Sequence, residues 1–271
     1  MQTSVHLDNG VEIPRVGFGV YQTRPGKKTD RAVREALRLG YRHIDTARIY
    51  GNEKDVGAAV RESGLPRSEI FVTTKLWNDD QGFESTLRAF DASVARLGLE
   101  TIDLYLLHWP VPVRRLESWR ALERLRGDGR VRAIGVSNFM PRHLEELLAH
   151  AEIVPAVNQV EVSPFLQQRD VRAFCAKRGI VVEAYSPLTK GARLEHPVVV
   201  DVARRVARSP AQVLLRWGLQ HDLVVLPKSS HSARIAANLA LFDFELGAEE
   251  MARLDGLEEG FATGWDPRDA P

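Results

Sequence analysis

Apolar residues along this chain gather into short continuous runs separated by longer amphipathic stretches. The short runs end near Phe18, Asp45, Lys75, His108, Ser137, Gln159, Ser186 and Lys228. Runs of this kind predict strands covered on both faces, as in a parallel sheet. Between them apolar residues recur at helical spacing, for example Ala32-Val33, Ala36-Leu37 and Leu39. Gly40, Gly64, Gly98, Gly129 and Gly179 mark where such helices should stop. Ser209-Pro210-Ala211 opens a capped helix over 209–219, and Pro197 to Ala207 predicts another before it. Val5-His6-Leu7, Asp8-Asn9-Gly10 and Val11-Glu12-Ile13 predict a β-hairpin with an Asn-Gly turn.

Successive strand ends lie 22 to 42 residues apart, with no long linker or low-complexity stretch. Eight strand–helix units in about 250 residues match the size of a (β/α)8 TIM barrel. The expectation is one domain over residues 1–271: a barrel, an N-terminal β-hairpin and a short C-terminal loop. A doubly wound open sheet is the alternative, but it would carry a glycine-rich fingerprint after its first strand. Only Gly17-Phe18-Gly19 stands there, which we read as a tight turn at the barrel rim.

Composition narrows the partners. A net charge of +1 and ordinary proportions of hydrophobic (44%) and charged (27%) residues give no reason for a nucleic-acid or membrane partner. Arg114-Arg115 and Arg204-Arg205 are expected on solvated helix faces. Cys175 is the only cysteine, so an internal disulfide is impossible and a cytoplasmic location is the expectation. Nothing at the N-terminus reads as a signal peptide, and no apolar run reaches membrane-spanning length. Histidines are scattered, with no HxH or HExxH pattern, so no metal site is expected. No coiled-coil heptad appears, and a monomer is expected.

Four polar side chains fall at or just beyond the C-terminal ends of three runs: Asp45, Tyr50, Lys75 and His108. The gaps from Asp45 to Lys75 and from Lys75 to His108 are 30 and 33 residues, one strand-plus-helix unit each. In such barrels that end of the sheet holds the active site. A phenol beside an ammonium is expected to have a lowered pKa and to serve as a proton donor, with a carboxylate aiming the ammonium. The imidazole can hydrogen-bond a substrate oxygen. Singly, each also reads as structural: an ion pair, a core histidine, a packed aromatic. Their arrival together at one face favours an acid–base site.

These residues lie in segments that resemble the aldo-keto reductase family. They include Gly40-Tyr41-Arg42-His43-Ile44-Asp45-Thr46-Ala47, Ile49-Tyr50-Gly51-Asn52-Glu53 and Thr73-Thr74-Lys75-Leu76-Trp77. Asp103 to Pro110, Ile134 to Phe139, Pro155 to Glu161, Ala184 to Leu188 and Leu226 to Ser229 continue the match in the family's order. Within the family the chain is most similar to the prokaryotic branch containing the 2,5-diketo-D-gluconate reductases.

The resemblance implies reduction of a small carbonyl substrate by NADPH, with NADH a weaker alternative. It makes Tyr50 the general acid, Lys75 its tuner, Asp45 the holder of Lys75 and His108 the orienter. Ser137, Asn138 and Gln159 match the nicotinamide carboxamide positions. Tyr185 matches the stacking aromatic and is followed by Ser186, Pro187 and Leu188. Lys228, Ser229, Ser230 and Arg234 match the 2′-phosphate pocket, and Asn238 an adenine contact. Tyr21, Trp77, Trp109 and Phe139 are expected to wall the substrate cleft. His231 and Ala237 depart from the family's common arginine and glutamate, which bears on NADPH over NADH. The family's C-terminal region, which can shape substrate choice, is here the short stretch Gly260 to Arg268, expected to be mobile when empty. Some members of the family bind NADPH as redox sensors or regulatory subunits with little turnover, which is the alternative function.

Overall fold

The Asn9-Gly10 turn closes a hairpin of β1 (Ser4–His6) and β2 (Glu12–Pro14), with Gly10 at φ 79°. The computed structural model describes residues 2–270, the side chain of Asp269 excepted. Met1 and Pro271, the ends of the expected unit, lie outside the described residues.

The eight expected runs form β3 (Phe18–Gly19), β4 (His43–Asp45), β5 (Phe71–Leu76), β6 (Ile102–Leu107), β7 (Val131–Ser137), β8 (Val157–Glu161), β9 (Val181–Tyr185) and β10 (Val224–Leu226). Each pairs in parallel with the next in chain order. The circle closes through a parallel bridge from Val16 to Val225. There Gly17 N–H donates to Val225 O (2.9 Å) and Gly19 N–H to Pro227 O (3.0 Å). The architecture is a (β/α)8 barrel. Helices Pro197–Arg205 and Pro210–Gln220 both form between β9 and β10, and Ser209 caps the second.

Gly17-Phe18-Gly19 is a correction to the expected rim turn. It is barrel wall, and glycine is needed at 17 for closeness: a Cβ there would come within 2.6 Å of the His43 ring and 2.5 Å of Leu226. Arg115 is a second correction. It is 8% exposed, donates to Pro110 O (2.9 Å) and pairs with Glu146, whereas Arg114, Arg204 and Arg205 face outward.

Side chains alternate along each strand, so one parity faces the barrel interior and the other the helices. Val72 and Leu76, Tyr105 and Leu107, Ile134 and Val136 belong to the large core beneath the helices. The opposite parity builds the interior in layers. Toward the floor it is apolar: Phe71, Leu104, Leu106, Ala133, Val157 and Val224 form one cluster with Leu7 and Ile13 of the hairpin, which plugs the floor. Above it the same parity delivers His43, Thr73, Gln159 and Glu183, and then Asp45, Lys75, Ser137 and Tyr185. Polarity therefore rises from floor to mouth. No helix among the described residues is long and apolar enough to cross a membrane.

Gly135 belongs to this inward parity, where a Cβ would fall 2.6 Å from Val157 O and 2.8 Å from Leu106 Cδ2. Gly135→Ala should lower stability by about 1–3 kcal/mol through overpacking against backbone. Denaturant midpoints of parent and variant check this; unchanged midpoints would mean the interior yields freely there.

Candidate active site

At the C-terminal mouth of the barrel, Lys75 is 0% exposed and its Nζ donates to both Asp45 carboxylate oxygens (2.8 Å each) and to Thr46 O (2.9 Å). Tyr50 lies in the short 3₁₀ turn Arg48–Tyr50 that follows β4, and Nζ is 5.2 Å from its ring centroid. His108 directly follows β6, and its ring meets Tyr50 edge-on at 5.8 Å and Trp77 at 5.3 Å. The four expected residues thus converge. The His108 Nδ1 is buried without a hydrogen-bond partner.

Electrostatics reverse one expectation. Burial first, then the Asp45 charge, push the Tyr50 phenol well above its ordinary value. Lys75, 5.2 Å from the ring centroid, does not offset them. Tyr50 is therefore a protonated donor at neutral pH. Burial and Lys75 hold His108 well below its ordinary value, so its ring is neutral.

A cleft of about 1010 Å³ opens above these groups and runs from Trp77 and Trp109 to Asn238. Asp45, Tyr50, His108, Ser137, Asn138, Gln159, Tyr185, Ser186, Pro187, Leu188, Lys228, Ser229, Arg234 and Asn238 line it. Tyr185 OH donates to Asn138 Oδ1 (2.9 Å), Asn138 Nδ2 to His108 O (3.0 Å), and Ser137 Oγ to Gln159 O (2.8 Å). Asn138 holds φ 64° and Ser186 φ 48°, strained values that turn the chain sharply where β7 and β9 end. At the far end Lys228 precedes the helix Ser232–Leu239, and Ser229 Oγ accepts from His231 N–H (3.1 Å). Burial and neighbouring Lys28 lower the Lys228 pKa. Among the described residues no carboxylate forms an ion pair with Lys228 or Arg234.

Two expected residues fall outside the cleft. Phe139 is 0% exposed, packed in the core beneath the helices, with its carbonyl accepting from Asn158 Nδ2 (2.9 Å). The left-handed turn at Asn138 directs it inward. Ser230 is exposed and stands off the cleft. Tyr21, Trp77 and Trp109 do line it, as expected.

Trp265, Gly191, Lys190, Gln22 and Ile49 are among the further lining residues that were not expected. Trp265 packs against Trp109, with ring centroids 4.6 Å apart and planes tilted by 49°. Its C-terminal stretch, expected to be mobile, is tied down: Phe261 N–H donates to Phe165 O (3.0 Å), Thr263 N–H to Glu161 Oε1 (2.8 Å), and Lys190 Nζ to Thr263 O (2.9 Å). The sequence signal for it is Trp265 itself, a large apolar residue in a short tail of glycines and prolines. His43 and Glu183 were also passed over. Their signal was parity: both are ionisable, inward-facing and inside otherwise apolar strands.

Among the described residues no group of three or more His, Cys, Asp or Glu could hold a metal ion.

The sequence model of the Aldo/keto reductase family matches residues 15–259. An aldo-keto reductase of Mycobacterium sp. (strain KMS) is 51% identical over 266 residues, covering 97% of this chain and 96% of the relative. A glyoxal reductase of Bacillus subtilis (strain 168) is 49% identical, covering 98% and 97%. The crystal structure of a Gox0644 mutant in complex with NADPH superposes with a TM-score of 0.94 at 43% identity, covering 100% and 99%.

Burial, then the Asp45 charge, raise the Glu183 pKa from 4.5 to about 8. Between those values the folded chain binds more protons than the unfolded one, so stability falls as pH rises through that window. Glu183→Gln removes the penalty, and its stability relative to the parent should climb from about pH 5 to pH 8. Parallel stability-against-pH curves from denaturant unfolding would contradict the assignment.

Proposed function

The chain belongs to the aldo/keto reductase family, and from that premise we propose that it is one catalytic unit reducing aldehydes and ketones to alcohols with NADPH. The observation carrying this reading is the protonated Tyr50 beside neutral His108, both facing the cleft above the buried Lys75–Asp45 pair.

The cleft's residues fit that cofactor. Its far end carries Lys228 and Arg234 without carboxylate partners beside the Ser229 hydroxyl, a setting that suits a phosphate. Asn238 lies one helical turn beyond Arg234. Nearer the tetrad, Ser137, Asn138 and Gln159 offer amide and hydroxyl groups for a carboxamide, and Tyr185 offers an aromatic face. NADPH, when bound there, supplies the hydride.

The chain's own groups do the rest. Tyr50 holds the proton and gives it to the carbonyl oxygen as negative charge develops there. Lys75, 5.2 Å from the ring centroid, stabilises the phenolate left behind. Asp45 and Thr46 O keep the ammonium charged and fixed. Neutral His108 donates one N–H to the same oxygen and so aims the carbonyl. Tyr21, Ile49, Trp77, Trp109 and Trp265 exclude water from the reacting end. Apolar walls discriminate modestly, about 1–3 kcal/mol per contact, so a broad range of small carbonyl compounds is expected. The relative named glyoxal reductase supports dicarbonyls among them. Placement near the diketo-gluconate reductases belongs to the same proposal.

Tyr50→Phe should cut kcat by about 10²–10⁴-fold while NADPH still binds, followed by loss of NADPH absorbance and by binding titration. Full turnover in this variant would remove Tyr50 as the acid. Lys228→Ala should raise KM for NADPH by about 10–100-fold and leave KM for NADH nearly unchanged. Equal changes for both cofactors would place the 2′-phosphate elsewhere.

A further inference from the structure

Glu183 is an acidic residue with no part in the mechanism above, sealed inside the barrel one layer below the mouth. It is 0% exposed. Its strand β9 pairs with β8 so that Glu183 stands beside Gln159. Gln159 Nε2 donates to Glu183 Oε2 (2.8 Å) and to Asp45 Oδ2 (2.9 Å). Both hydrogens of this amide are therefore spent on carboxyl oxygens.

The consequence lies at the other end of the amide. No protein group among the described residues donates to Gln159 Oε1, and Gln159 lines the cleft. An amide with its nitrogen held between two carboxyl groups presents only an acceptor to a ligand. Asp45 alone holds it less well, since Asp45 Oδ2 also receives Lys75 Nζ. Without Glu183 the second amide hydrogen would be buried and unpaired, a state costly enough to turn the side chain.

Glu183 is not needed to hold His43. That ring lies 3.7 Å from Glu183 Oε1, and its nitrogens are nearer Thr73 Oγ1 (3.1 Å) and Pro14 O (3.4 Å).

We propose that Glu183 is a positioning residue for the cofactor: through Gln159 it directs Oε1 into the cleft to accept a hydrogen bond from the nicotinamide carboxamide. This rests on the NADPH reading above. The acceptor at position 183 is the active feature, so glutamine should replace glutamate and an apolar side chain should not.

The test compares NADPH with adenosine 2′,5′-bisphosphate, which keeps the adenine, the 2′-phosphate and the 5′-phosphate but lacks the nicotinamide half. Dissociation constants are measured by calorimetry for the parent, Glu183→Met and Glu183→Gln. Glu183→Met should weaken NADPH by about 3–10-fold, the value of one lost hydrogen bond, and leave the bisphosphate unchanged. Glu183→Gln should bind both like the parent. Parent-like NADPH binding by Glu183→Met overturns the proposal, as does equal weakening of both ligands. So does a Glu183→Gln variant as weak as Glu183→Met. If Glu183→Met does not fold, Glu183→Ala takes its place; failure of both to fold would assign Glu183 to the barrel rather than to the amide. A parent that binds no NADPH would overturn the cofactor reading itself, a separate outcome.

Discussion

The arrangement at the mouth of this barrel depends on one buried ion pair. Lys75 has no exposure to solvent, and removing an ammonium from water costs several kcal/mol unless its donors are all used. Here two Asp45 oxygens and the Thr46 carbonyl accept them. The pair then needs a polar surround, because Asp45 has oxygen lone pairs to satisfy. Gln159 supplies a donor, and Glu183 accepts that amide's other hydrogen. The polar middle layer thus follows from placing one lysine at the end of β5.

The same pair explains the state of Tyr50. An isolated ammonium would draw the phenol toward phenolate. Here burial and the Asp45 carboxylate set the direction instead, and the proton stays on Tyr50. At this ring, burial outweighs the nearby ammonium.

Much of this was legible in the sequence because parallel barrel strands are continuous apolar runs, and polar residues at their ends stand out. All eight strands and the convergence of Asp45, Tyr50, Lys75 and His108 follow from that pattern. Phe139 was misplaced because one left-handed residue, Asn138, turns the chain, and an isolated backbone angle leaves no periodic trace. Gly17 and Gly19 read as a turn, although both lie in the barrel wall and the smallness of Gly17 serves close packing across the seam. Arg115 was taken as solvated because its carboxylate partner, Glu146, lies on another helix. The docking of the tail leaves no local trace for a similar reason: its anchors, Phe165 and Glu161, are about a hundred residues away. Glu183 and His43 obeyed the strand parity and could have been found by applying it.

The hairpin plug gives the barrel a direction. With Leu7 and Ile13 closing one end among apolar side chains, the interior is a blind well with a greasy bottom and a charged lip. The polar layer is itself filled: His43, Thr73 and Glu183 are 0% exposed, and Asp45 and Gln159 present it to the cleft. Whatever rests across that lip also corks the well, so covering the mouth and isolating the buried charges from water are a single event.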